Sequence, residues 1–108
     1  MAQDFRQVKM KEIGTSETDI PDGSNFDSYD CIIGMNLANI TTSTISVDAY
    51  IKNGGNTFYI IKSMPLVSGS AYSYDGKINV VSGDRLYFKS DTASSLDVIV
   101  SFVDAISS

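Results

Sequence analysis

MNLANITTSTISVDAYIKNGGNTFYIIK, residues 35–62, is the stretch whose reading decides the fold. Ile45, Val47, Ala49 and Ile51 alternate with Ser46, Asp48, Tyr50 and Lys52. That period of two gives an extended strand one apolar and one polar face. Asn53-Gly54-Gly55-Asn56 follows and supplies the positive-φ residues that a tight hairpin demands. A second β-rich run then begins at residue 57. Two strands joined by a two-residue turn set the reading of the rest.

Outward from this hairpin the pattern repeats. Leu96, Val98, Val100 and Phe102 form one apolar face of a last strand, with Asp97 and Ser101 opposite. Ile99 and Val103 make the second face partly apolar, so the strand is expected to be covered on both sides. Asp75-Gly76 and Ser82-Gly83-Asp84 read as two further hairpin turns. Strand-length segments lie at roughly 57 to 63, 70 to 74, 77 to 81 and 84 to 90, and Pro65 is expected to interrupt a strand. No window carries an apolar 3.6-residue repeat long enough for a helix. The sum is an all-β chain of about eight strands, a single two-sheet antiparallel sandwich, jelly-roll-like or Ig-like.

A length of 108 residues supports one domain, 1–108, around one core. The apolar fraction of 43 % and charged fraction of 19 % are those of a chain that folds rather than stays disordered. Residues 1–30 read as an N-terminal strand over 5–13, with Val8 and Met10 alternating against lysines, followed by an acidic loop or arm. That loop carries Glu17, Asp19, Asp22, Asp27 and Asp30 among Gly, Pro and Ser. A loop of such length in a small domain is expected to serve a function, here contact with a neighbouring subunit.

Composition removes several classes of chemistry. The chain has no histidine and no tryptophan, so Ser-His-Asp and Cys-His sites cannot be built and the commonest general base is missing. The net charge of −5 repels nucleic acid and anionic membranes. No apolar run approaches the roughly 20 residues that span a bilayer. The start, MAQDFRQVKMKEIG, has no signal-peptide core, which implies a protein kept in the cytoplasm where it is made. The lone Cys31 in CIIG reads as a core side chain and excludes an intramolecular disulfide.

The Asp19–Asp30 cluster offers oxygen ligands for a hard cation, but its spacing matches no twelve-residue calcium loop and a solvated acidic loop is the reading taken. Neither a metal nor a cofactor is expected. Gly54-Gly55 lacks the lysine and helix of a phosphate loop. Asn39-Ile40-Thr41 is read as a chance glycosylation match.

Tyrosine is the informative residue type. Tyr50 and Tyr87 fall on the solvent phase of their strands, and Tyr59, Tyr72 and Tyr74 can add to them. Such rings serve a subunit interface, pack across strands, or stack on sugars. The interface reading is preferred, with Val8, Met10, Asp19, Asp22, Asp27, Tyr50, Tyr59 and Tyr87 as its residues.

Three blocks resemble small β-sandwich virion structural proteins of tailed bacteriophages, of the aquatic or cyanobacterial phage type. They are DCIIGMNLANITTSTISVDAYI (30–51), NTFYIIKSMPLVSGSA (56–71) and GKINVVSGDRLYFKSDTASSLDVIVSFVD (76–104). The Leu-Ala-Asn at 37–39 and the Ser-Ser-Leu-Asp at 94–97 are their most specific details. The resemblance implies a non-enzymatic, homo-oligomeric assembly subunit at the neck, collar or tail. A capsid decoration protein is the alternative, and a receptor- or glycan-binding module the second alternative. It further implies other virion proteins and copies of itself as partners, and location in the virion after synthesis in the host bacterial cytoplasm.

Overall fold

A computed structural model describes residues 3–19, 31–79 and 84–105. Among them the chain forms nine strands: β1 (Gln3–Ile13), β2 (Thr18–Asp19), β3 (Cys31–Asn39), β4 (Ile45–Asn53), β5 (Asn56–Leu66), β6 (Ala71–Tyr74), β7 (Ile78–Asn79), β8 (Arg85–Ser90) and β9 (Leu96–Ala105). All pairings are antiparallel. One sheet runs β1-β9-β3, with β6 and β7 end to end along β3; the other runs β2-β8-β4-β5.

The β4–β5 hairpin forms as its sequence requires. Asn53 pairs with Asn56, and Gly54 and Gly55 between them take φ of 60° and 87°. These are the positive values of a type I′ turn, whose twist matches that of the flanking strands. Almost every other connection crosses from one sheet to the other, as in β1 to β2, β3 to β4 and β8 to β9. That interleaving is a jelly roll, which decides between the two sandwich types left open by the residues.

Asp75-Gly76 is not a hairpin turn. β6 and β7 run in the same direction along β3, opposite Met35–Ala38 and Cys31–Ile32 respectively. Three residues, Asp75 to Lys77, stand opposite Ile33 and Gly34, so the segment interrupts one edge strand. The Tyr74 ring folds back over Gly76, where an added Cβ would sit 2.8 Å from the phenolic oxygen. A close approach, not a turn, explains this glycine. The expected strands at 70 to 74 and 77 to 81 correspond to β6 and β7, and the ninth strand among the described residues is β2, which falls where a loop was expected. Ser82 and Gly83 lie outside the described residues.

Pro65 lies inside β5, opposite Ser46. β5 is an edge strand among the described residues, so the missing N–H costs no ladder bond. The edge is further blunted by a bulge at Ser63, φ 51°, whose N–H donates to Asp48 Oδ1 at 2.6 Å. β1, on the edge of the other sheet, repeats the device at Glu12, φ 56°, whose N–H donates to Asp97 Oδ1 at 2.9 Å. Each bulge frees a backbone donor and each is met by an aspartate on the adjoining strand.

The core lies between the sheets. β3 and β9 bring Ile32, Met35, Leu37, Leu96, Val98, Val100 and Phe102, while β4 and β8 bring Ile45, Val47, Ala49, Ile51, Leu86 and Phe88. Met10 and Ile13 of β1 are buried there, and Val8 packs against it. β1 is therefore an integral strand, paired with β9 along its length. Asn39 is buried at the core's rim; its amide donates to the carbonyls of Ser43 and Leu66, both at 2.8 Å, and its Oδ1 accepts from the Thr41 N–H and hydroxyl. Its spent hydrogen-bonding capacity agrees with reading the glycosylation match as chance.

Candidate interaction surfaces

Each sheet turns one face to the core and one outward. On the β2-β8-β4-β5 sheet the outward face carries a tyrosine row, set by register: Tyr59 pairs with Tyr50 and Tyr50 with Tyr87. Tyr50 and Tyr87 stack with centroids 5.7 Å apart and planes 15° off parallel; Tyr59 tilts at 53° against Tyr50 at 5.1 Å. Lys52 Nζ lies 5.2 Å from the Tyr87 centroid and Lys62 Nζ 4.6 Å from that of Tyr59, both within cation–π range.

Glu17 completes this cluster. Its Oε1 accepts a 2.5 Å hydrogen bond from the Tyr50 hydroxyl and its Oε2 accepts one from Lys52 Nζ at 2.8 Å. β2 follows directly and pairs with Phe88 and Tyr87 of β8. Tyr50, although on the outward phase of β4, is therefore only 4 % exposed. Burial, and then the Glu17 carboxylate, push its phenol above the ordinary tyrosine range. The hydrogen bonds from Lys52 and then Tyr50 hold the Glu17 carboxyl below the usual glutamate range. Tyr59 and Tyr87 pack against the Tyr50 ring, so Tyr50 itself is not open to sugar stacking, while Tyr59 is 49 % exposed and Tyr87 half-buried.

The outward face of the β1-β9-β3-β6 sheet has different chemistry. Its rows are short side chains: Ser101 beside Gly34, Asp97 beside Ala38 and Ala71, and Lys9, Ile99, Asn36 and Ser73 across the middle. Ile99 is 37 % exposed on a strand with neighbours on both sides. The expectation that β9 is covered on both faces thus fails within one chain: the other sheet covers one face only. Two hollows flank Ile99, one of about 470 Å³ lined by Lys9, Lys11 and Asp97 among others, the other of about 250 Å³ lined by Asn36, Ser73 and Asp75 among others.

The residues expected at an interface are divided by this geometry. Tyr50, Tyr59 and Tyr87 come together. Met10 is buried and Val8 packs on the core, because their phase on β1 faces the other sheet; they hold the fold and are not offered to a neighbour. Asp19 is placed by its backbone beside Tyr87. Asp22, Asp27 and Asp30 lie outside the described residues, and so does the body of the acidic loop. Tyr72 and Tyr74 belong to the other sheet, where Tyr74 packs on the core. Cys31 is a half-buried free thiol at the start of β3. Among the described residues no group of three potential metal ligands converges. Sequence reasoning missed Glu17, since nothing local to a turn-rich stretch announces a partner 33 residues away.

No protein-family model matches the chain, and no curated protein matches it in sequence. Solved structures share its fold. A chain of the Bacillus endospore appendages, a family of disulfide-linked pili, superposes with a TM-score of 0.61 at 17 % identity, over 98 % of this chain and 88 % of that one. The acid-stable capsid structure of Helicobacter pylori bacteriophage KHP30 gives 0.62 at 12 % identity, over 95 % and 87 %. Murine APRIL gives 0.62 at 10 % identity, over 94 % and 100 %. These likenesses establish the jelly-roll architecture across nearly the whole chain.

Proposed function

We propose that the protein is a non-enzymatic structural subunit of a tailed bacteriophage particle, of the aquatic or cyanobacterial type, placed as a repeated component of the neck, collar or tail. Decoration of the capsid exterior is the alternative placement. The observation that carries this reading is the outward face of the β1-β9-β3-β6 sheet, an extended, small-residue surface with an exposed isoleucine at its middle. A domain with no histidine works by contact more readily than by acid–base chemistry. The three sequence blocks favour the virion, and the fold is one that a phage capsid protein also uses. Repetition on a symmetric particle lets individually weak contacts add.

The test is mass spectrometry of particles banded on a density gradient from a culture that carries the gene. Peptides of this chain should co-sediment with the major capsid protein at a fixed ratio through successive purifications. Their confinement to the soluble lysate fraction would overturn the reading. The N-terminal strand and acidic loop remain the proposed contact with an adjoining virion protein. Deleting residues 1–14, however, does not test it, since that removes an edge strand and the buried Met10 and Ile13.

A further inference from the structure

We propose that the outward face of the β1-β9-β3-β6 sheet is a contact between two copies of this chain, related by a two-fold axis running along β9. The inference rests on the assembly reading for bringing copies together, and it names their first contact.

The face is flat enough for close approach. Gly34, Ala38, Ala71, Ser73 and Ser101 lie around Ile99 along β9, β3 and β6, while its direct cross-strand partners are Asn36 and the longer Lys9. Burying an exposed Ile on a central strand is favourable at about 25 cal/mol per Å² of apolar surface. The alternative, leaving it in water between two hollows, gains nothing for the monomer.

Charge selects the occupant and the axis. The hollow on the β1 side of Ile99 carries Lys9 and Lys11; that on the β6 side carries Asp75. Asp97, in the lysine hollow, is engaged within the chain by the Glu12 amide. A two-fold axis across the strands would lay β1 over β1 and set lysine against lysine. An axis along β9 exchanges the two sides instead. Ile99 then meets Ile99 of the second copy, and Lys9 reaches across to Asp75 of the second copy, one row from Ser73. Every such pair is made twice, as an isologous contact requires. Lys9 and Lys11 share the β1 flank with Asp97, and Asp75 shares the β6 flank with the exposed Lys77, so the complementarity rests on the Lys9–Asp75 pairs, made twice about the Ile99 ridge.

The contact is a weak one taken singly. Four strands about 4.8 Å apart and about 20 Å of strand length give on the order of 300 Å² of sheet per copy, against roughly 800 Å² per partner in stable complexes. Self-association is therefore expected in the range of about 0.1 to 1 mM, strengthened on a particle by avidity.

Sedimentation equilibrium of the full chain, from about 5 µM to about 2 mM, brackets that range. The wild type should move towards twice its 11.7 kDa mass, with a two-state monomer–dimer fit. Ile99→Asp should weaken the dimer by about tenfold or more, since it puts two carboxylates at the centre. Lys9→Asp and Asp75→Lys should each weaken it about three- to tenfold, and the double variant should return to within about twofold of wild type. The charge exchange keeps the test decisive even if Ile99→Asp folds poorly. A wild type that stays monomeric to 2 mM, or a double variant as weak as the singles, overturns the contact. A monomer that still co-sediments with particles overturns this contact alone, whereas a dimer absent from particles overturns only the virion assignment.

Discussion

On the outward face of β4, Tyr50 is 4 % exposed; on the outward face of β9, Ile99 is 37 % exposed. Both strands have neighbours on both sides, and both faces have the same pleat. The difference lies in what the flanking strands supply. β5 and β8 place Tyr59 and Tyr87 against Tyr50, and Glu17 caps its hydroxyl. β1 and β3 place Lys9 and Asn36 beside Ile99, and neither covers it. One face closes on itself and contributes to the stability of the chain. The other is left for a contact outside it.

The largest expected effect breaks the closed face. Tyr50→Ala removes a buried ring with two aromatic partners and should destabilise the chain by about 3 kcal/mol in urea unfolding. Tyr59→Ala, at an exposed position, should cost under about 1 kcal/mol. Equal losses at the two sites would mean that Tyr50 is not the covered member of the row. Neither substitution should alter the dimer constant, because the row lies on the opposite side of the sandwich.

Ile99→Asp makes the reverse case. It should lose association while changing unfolding by about 1 kcal/mol or less, the span of β-propensity at a partly exposed strand site. A loss of several kcal/mol would show Ile99 to be a core residue in disguise and would erase the contrast between the faces.

Much of this contrast was legible in the residues, and the parts that were not share a cause. The alternation in 45–52 fixed which side chains of β4 face inward, and the two glycines fixed the hairpin. The second apolar phase of β9 was visible at Ile99 and Val103. That the phase stays uncovered was not, because cover depends on sheet order rather than on the strand. Tyr50 reads as solvent-facing from its own strand; Tyr59, Tyr87 and Glu17, none of them close to it in the chain, cover it. Met10 and Val8 read as candidates for contact because alternation gives two faces without saying which is inward; pairing with Val98 and Val100 settles it. Asp75-Gly76 misleads for the same reason: a strong local turn signal is overridden where the strand's partner, β3, runs on past it.

A finer cut through the closed face is Tyr50→Phe, which keeps the ring and deletes its bond to Glu17. The partly exposed carboxylate retains Lys52 and solvent, so the loss should be about 0.5 to 1.5 kcal/mol. The substitution also carries a pH signature. Because the folded chain raises the Tyr50 phenol, its share of stability is fully present below the ordinary tyrosine value of 10.0 and is lost as the pH climbs above it. Urea midpoints of wild type should therefore fall more steeply above pH 10 than those of Tyr50→Phe, and parallel curves would place the phenol in ordinary solvent.

The smallest effect concerns Glu17→Gln. The folded carboxyl lies below its ordinary value, so its contribution is present above that value and is lost as the pH falls through the lowered one. With the Glu17 side chain 39 % exposed and Lys52 at 37 %, solvent screening limits the contribution to a few tenths of a kcal/mol. The gap in stability between wild type and Glu17→Gln should accordingly be small at pH 7, close towards pH 3, and shrink in about 1 M salt. Acid sensitivity should not vanish in the variant. Asp91, held low by the Ser46 N–H and then by Thr92, titrates in the same direction at the other end of β4 and is untouched by the change. A variant with no residual acid limb would mean that Glu17 alone ties β2 to the sheet, and that the closed face opens whenever that one carboxylate is protonated.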